Sequence, residues 1–507
     1  MTALIRTWAV ALHGVSGTII EVEAHQSNSL PGIVIIGLPD AALNEARERI
    51  RSAAANSGCG LPARKLTMNL SPAELPKHGA GFDLALALAA LGCDGTVDPA
   101  SLHRCVHIGE LGLDGRVRPV RGVLPAVLAA QRAGFDTVLV PVGNQAEAEL
   151  VPGIRIVPVA SLRHAARFHG ADLPDEGVDP VLPAASGVAS DDGEPDLADI
   201  AGNADAVLAL QAAAAGGHHM FLLGPPGAGK TMLAERLPGI LPDLDPDASL
   251  EASCVRSLSG DRALTALVTR PPFIAPHHTA TQAALVGGGS GRVQPGAVAR
   301  ASHGVLFLDE APEFPRSVLD ALRQPMERGS ITIHRARSQA TYPAKFQLVL
   351  AANPCPCAKD ERDCECPVAV RRRYLGRLSG PLLDRVDLQL RLRRVALHEL
   401  QAHQSGGVTS AEAKARVAAA RAAASERFGT QGWTRNSEVP GSALRSQWRL
   451  AASATGALDR ALERGVLTLR GYDRVLRVAW SLADLAGKTS PDRADIGQAL
   501  YLRGVGA

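Results

Sequence analysis

Eight consecutive residues, Gly224-Pro225-Pro226-Gly227-Ala228-Gly229-Lys230-Thr231, have the types and spacing to hold a triphosphate. The glycines let backbone N–H groups close around phosphate oxygens, and the start of a following helix adds favourable partial charge. Lys230 would reach the β- and γ-phosphates, and the Thr231 hydroxyl would hold Mg²⁺. An apolar run at 220–223 precedes the octet and a helix-like stretch at 232–237 follows it. That is the strand–loop–helix setting a phosphate loop requires. The chain is expected to bind ATP.

Downstream chemistry narrows what the nucleotide is for. Val305-Leu306-Phe307-Leu308 is wholly apolar and ends in Asp309-Glu310. A strand buried on both faces suits the centre of a parallel sheet, whose C-terminal edge is where such sheets place ligands. Asp309 would share Mg²⁺ with Thr231, and Glu310 would polarise the attacking water. A second apolar strand at 346–352 runs into Asn353, an amide suited to orienting that water. Arg385, flanked by Asp384 and Asp387, reads either as a surface ion pair or as an arginine finger acting on a neighbouring subunit's ATP. Arg470, at the start of a C-terminal helix, would bring a guanidinium to the phosphates from a lid, with Arg474 and Arg477 as rivals.

Four of the eight cysteines are clustered: Cys355, Cys357, Cys364 and Cys366. Close thiols in a reducing compartment mark a metal more often than disulfides, so a structural Zn²⁺ is expected, with free or redox-active thiols as the alternative. With four thiolates no position would remain for a catalytic water. Two basic segments suit phosphate backbones: the turn carrying Arg292, and an alternating hairpin at 330–342 with Arg335 and Arg337 near its tip. The hairpin reads equally as a solvated tip. Arg371, Arg372, Arg373 and Arg377 suit either phosphate or a subunit interface. Aromatic content of only 3% favours backbone tracking over stacking on bases.

The elements that must position these groups fall into an α/β plan. Residues 1–168 mix strands (17–23, 32–36, 65–70, 137–140) with helices (40–54, 123–133). Residues 169–195 form an acidic flexible linker, 196–395 the P-loop core with a parallel sheet and the Cys loop at 355–366, and 396–507 a helical lid. Helices are expected at 409–428, 441–464, 469–485 and 491–502. Lys plus Arg (53) nearly balances Asp plus Glu (51), so any nucleic-acid surface must be local. With no signal peptide and no run of 18 uncharged apolar residues, a cytoplasmic protein that avoids membranes is expected.

In this order the elements resemble the AAA+ ATPases, and in detail the magnesium-chelatase-like branch. Ala275-Pro276-His277-His278-Thr279, Ala284-Leu285-Val286-Gly287-Gly288-Gly289, Leu322-Arg323-Gln324-Pro325-Met326-Glu327 and Ser379-Gly380-Pro381-Leu382-Leu383-Asp384-Arg385 are similar to the ComM/YifB family, over nearly the whole chain. The resemblance implies a homo-hexameric ring that couples ATP hydrolysis to translocation of single-stranded or branched DNA: branch migration in natural transformation. A chelatase-like motor acting on a protein or metal-insertion complex is the alternative. A nucleotide-gated scaffold is disfavoured, because a binding-only module needs neither Glu310 nor Arg385. The family commonly has Gly where Ala358 stands and a basic residue where Trp480 stands. Segments 109–117 and 75–81 resemble the proteolytic domain of Lon, implying a ribosomal-S5-domain-2-like fold. The Ser and Lys positions of the Lon dyad fall on Gly81 and Leu124, so no protease activity is expected.

Overall fold

Alternating side chains build the first sheet. In Lys65–Ser71 the residues Leu66, Met68 and Leu70 point inward and their neighbours outward, the period of a half-buried strand. The computed structural model describes residues 4–37, 41–183, 194–260, 264–289, 293–335, 338–359, 364–402 and 407–504. Its strands before residue 160 are β1 (Ile5–His13), β2 (Ser16–Ser27), β3 (Gly32–Ile36), β4 (Lys65–Ser71), β5 (Cys105–His107), β6 (Glu110–Leu111), β7 (Val117–Arg118), β8 (Thr137–Pro141) and β9 (Arg155–Val159). Seven of them form one mixed sheet in the order β3-β4-β2-β1-β5-β8-β9. The helix Asp83–Gly92, apolar on every side after its first residue, is buried throughout. Central β1 was not expected; its inward positions after Ile5 are Thr7, Ala9 and Ala11, small groups that mute the alternation.

The second sheet is parallel, as expected of the P-loop core. Its strands are drawn from β10 (Met220–Leu223), β11 (Phe273–Ile274), the pair β12 (Gly287–Gly288) and β13 (Gln294–Pro295), β14 (Val305–Leu308), the hairpin β15 (Ser330–Arg335) and β16 (Ser338–Pro343), β17 (Gln347–Ala352) and β18 (Leu388–Arg391). The order is β11-β14-β17-β10-β18, with every pairing parallel. Every residue of β14 and β17 is buried, which is why these strands show no alternation in the sequence.

The chain ends in helices. Ser410–Phe428 opens with a capping box between Thr409 and Glu412. One helix was expected over 441–464; there are two, Gly441–Arg445 and Ala452–Glu463. Trp448 lies in the break, its ring 5.5 Å from Phe428 and 5.6 Å from Trp433, and burying it takes the chain off a helical path. Leu469–Leu485 and Arg493–Leu502 complete the set. Among the described residues no helix is long and apolar enough to cross a membrane.

Candidate active site

Strand order explains how distant residues meet. β10 and β17 are neighbours that end together, Leu223 opposite Ala352, so the phosphate loop and Asn353 leave the same edge side by side. Lys230, at the start of the helix Lys230–Ile240, donates to Gly224 O at 2.6 Å, Pro225 O at 3.0 Å and Asn353 Oδ1 at 3.0 Å. Burial lowers its pKa from the ordinary lysine value, and the nearby Asp309 and Glu310 work against that shift. β14 is the next strand beyond β17. From its end Asp309 Oδ2 accepts a 3.0 Å hydrogen bond from Thr231 Oγ1. Lys230, Thr231, Asp309 and Asn353 thus converge from three strands.

The loop has room for phosphates. Gly227 and Gly229 adopt φ of 77° and 83°, and a Cβ on either would meet nothing within 4 Å. Such backbone is strained for any residue with a side chain, and the open space in front of it is where phosphate oxygens would sit. Gly224, Pro225, Pro226 and Ala228 complete the turn. The set fits ATP with Mg²⁺, and the donors Thr231 and Asp309 are of the hard oxygen type that Mg²⁺ takes. Glu310 has φ of 49°, a left-handed conformation unusual for a residue with a side chain, and its N–H donates to Asp309 Oδ1 at 2.8 Å. Its carboxylate Oε2 lies 3.3 Å from His278 Nδ1.

Arg385 and Arg470 lie elsewhere. The N–H groups of Asp387 and Leu388 both donate to His219 O, just before β10 begins. The turn carrying Arg385 therefore sits at the edge where β10 starts, and the phosphate loop leaves the opposite edge, roughly 13 Å away at about 3.3 Å per residue. Arg385 pairs with Glu327 and donates to Pro381 O at 2.6 Å. Arg470 joins the same edge through Asp384, at 2.9 Å. One helical turn on, Arg474 pairs with buried Asp387. Burial pushes the Asp387 carboxyl up, but Arg474, His218 and His219 outweigh it and hold the group well below the ordinary carboxylate range. Arg470 was read as bringing a guanidinium to the phosphates from a lid; in this chain it pairs with Asp384, next to Arg385. Arg477 donates to Val439 O, away from both. Trp480 is buried, with the Arg427 guanidinium 4.3 Å above its ring, and takes no part.

The four clustered thiols come together, all Sγ atoms within 4.8 Å of one another. Tetrahedral zinc at about 2.3 Å per thiolate wants them about 3.8 Å apart, so the set fits with a small contraction. Cys355 follows Asn353 by two residues. Ala358 in this loop has φ of 55°, which accounts for the glycine expected there. Of the residues read as touching DNA, Arg292 and Arg337 lie outside the described residues; Arg335 is the last residue of β15. Two contacts were not foreseen: His278 with Glu310, and the paired grip of Arg470 and Arg474 on either side of Arg385. His278 stands in a quoted motif, but only the pairing of β11 with β14 shows what it faces.

Three family descriptions match in succession: "Subunit ChlI of Mg-chelatase" over residues 22–144, "Magnesium chelatase, subunit ChlI" over 196–400, and "Magnesium chelatase, subunit ChlI C-terminal" over 407–503. An uncharacterized protein of Mycobacterium tuberculosis is 49% identical across 100% of this chain and 99% of its own length. The competence protein ComM of Haemophilus influenzae is 38% identical across 99% of the chain and 97% of its own length. The uncharacterized protein YifB of Escherichia coli is 37% identical across 97% and 95%. A shorter likeness, 31% identity over 28% of the chain, is to the Lon protease of Mycolicibacterium smegmatis.

Proposed function

Because the chain belongs to the ComM/YifB family of magnesium-chelatase-like AAA+ ATPases, we propose that it is a ring-forming, DNA-translocating ATPase of the cytoplasm. The observation that carries the ring is the division of the site between two edges of one sheet. Lys230, Thr231, Asp309 and Asn353 meet at one edge. Arg385 and Arg470 stand at the other, where they cannot serve this chain's own phosphate loop. Head-to-tail packing of copies brings the second edge of one chain to the first edge of the next, and such heterologous contacts close into rings. A homo-hexamer is the family's expected size.

In each interface the phosphate loop binds ATP and Lys230 leaves its carbonyl partners for the phosphates. Thr231 and Asp309 would hold Mg²⁺, which neutralises phosphate charge when bound. Glu310 takes the proton of the attacking water, and Asn353 orients that water. Arg385 exchanges Glu327 for the neighbour's γ-phosphate, with Arg470 beside it. Cys355, Cys357, Cys364 and Cys366 would hold structural Zn²⁺ and brace the segment that follows Asn353.

The client is single-stranded or branched DNA, bound without sequence preference through phosphates by Arg335, Arg337 and Arg292. Its movement serves branch migration as incoming strands are integrated. Support comes from the basic hairpin and from a full-length relative named as a competence protein. The residues 1–168 take a ribosomal-S5-domain-2-like fold without peptidase chemistry, since Gly81 and Leu124 occupy the Lon dyad positions. A motor for a protein or metal-insertion complex is the second reading, favoured by the chelatase descriptions matched along the chain. Steady-state hydrolysis with single-stranded, forked and four-way-junction DNA separates the two. DNA stimulation lost in Arg335→Ala/Arg337→Ala is expected; turnover indifferent to every DNA would leave the chelatase-like reading.

A further inference from the structure

Beyond the ends of β10, β17 and β18 lies a cavity of about 1060 Å³ that the nucleotide chemistry does not use. It touches only the start of the phosphate loop: Gly224 and Pro225 line it, whereas Gly227, Gly229, Lys230 and Thr231 do not. Its floor is closed. Leu392 N donates to Leu223 O at 2.8 Å, and a Cβ on Gly224 would come within 2.9 Å of Leu392 O.

The walls are basic and come from three elements. Lys359 stands in the loop after β17, Arg371 and Arg372 on the helix Val368–Leu375, and Arg391, Arg393 and Arg394 at and beyond the end of β18. Leu375, four residues after Arg371, lines the same cavity, so one face of that helix is turned into it. No carboxylate lines the cavity among the described residues. Arg393 pairs with Glu399 at 2.7 Å, but Lys359, Arg371, Arg372 and Arg391 have no carboxylate partner among the described residues. Cations gathered around one cleft repel one another and concentrate a positive field there, which an anion with several charges relieves.

The wall chemistry selects the anion. Arginine forks hold phosphate oxygens through paired N–H donors. No aromatic ring lines the cavity, so there is no platform on which a base could stack. Lys359, Arg372, Arg391, Arg393 and Arg394 are exposed, as suits a chain lying across the cleft. We propose that this cavity seats the phosphodiester backbone of a single nucleic-acid strand, without reading its sequence. The proposal deepens the reading of DNA as the client and rests on it. The seat is separate from the basic hairpin: β16 ends at Pro343 and the chain enters β17 at Gln347, where the strands begin, whereas the cavity opens where they end.

The test is fluorescence anisotropy of a labelled poly(dT) oligonucleotide with the full chain over a series of KCl concentrations. Wild type is compared with Arg371→Ala/Arg372→Ala, Arg371→Lys/Arg372→Lys and Arg391→Glu, with sedimentation velocity and binding of a fluorescent ATP analogue on the same samples. Each phosphate contact to a single strand contributes about 0.7 to the slope of log affinity against log salt, so the double alanine variant should bind more weakly with a slope shallower by about 1.4. The double lysine variant should keep the slope, and Arg391→Glu, from the opposite wall, should also weaken binding. Ring assembly and affinity for the ATP analogue should be unchanged. Wild-type affinity and slope in the double alanine variant overturn the proposal and leave the DNA reading standing; a wild type that binds no strand overturns both. Weaker DNA binding with an unchanged slope and broken rings would make these arginines a subunit interface. An equal loss of affinity for the ATP analogue would assign them to bound nucleotide. Either result overturns the proposal.

Discussion

Glu310 gives the sharpest single-residue test of the chemistry. Glu310→Gln keeps the shape and removes the proton acceptor, so kcat should fall about 10²- to 10⁴-fold while ATP affinity changes little. Rapid-quench turnover alongside equilibrium binding of a fluorescent ATP analogue reads both. Ala358 offers a test of a different kind. It holds a left-handed φ of 55° inside the Cys loop, a conformation that costs a residue with a Cβ about 1–2 kcal/mol. Once loaded with zinc, Ala358→Gly should therefore keep it against a chelator several-fold longer than the similarly loaded wild type. At this scale the sequence was informative wherever spacing alone defines a site. The octet at 224–231, the Asp309-Glu310 pair and the four thiols were all legible. The partners of Arg385, Arg470 and Glu310 were not, because Glu327, Asp384 and His278 arrive from other elements.

Elements carry the pH response. His107 and His169 join the first sheet to the helix Leu162–Phe168 through a buried chain: Thr7 Oγ1 to His107 Nδ1 at 2.7 Å, His107 Nε2 to His169 Nε2 at 3.0 Å, and His169 Nδ1 to Ser101 Oγ at 2.8 Å. Burial lowers the His169 pKa to about 4, and His219 beneath the second sheet is likewise held at about 4. The unfolded chain takes up these protons first, near pH 6.5, so the stabilisation is complete above that value and is lost as pH falls toward 4. By pH 5 each histidine should have cost roughly 2 kcal/mol. Thermal midpoints should drop from pH 7.5 to 5, and His169→Gln should flatten part of that drop. Periodic helices such as Leu469–Leu485 and long alternating strands such as β2 could be read from sequence. Central β1 escaped because alanines line its inner face, and the break at Trp448 because an aromatic cluster overrides helical periodicity.

At the scale of the whole molecule the chain presents two half-sites on opposite edges of one parallel sheet, and the helix Leu469–Leu485 clamps the turn of one of them through Arg470–Asp384 and Arg474–Asp387. On the proposed reading, neither half is catalytic alone. The parallel core was legible because its strands are uniformly apolar, but which edge each arginine occupies followed only from strand register. Removing Arg385 should cost at least about 10²-fold in kcat, in keeping with transferred arginines elsewhere. The most direct test mixes two inactive chains. Lys230→Ala lacks a working phosphate loop yet still supplies Arg385; Arg385→Ala has the opposite defect. In rings assembled at random from equal amounts, about one interface in four is complete, so hydrolysis should return to about a quarter of the wild-type rate. A mixture that assembles into rings yet stays as inactive as either variant alone would contradict a site shared between neighbours.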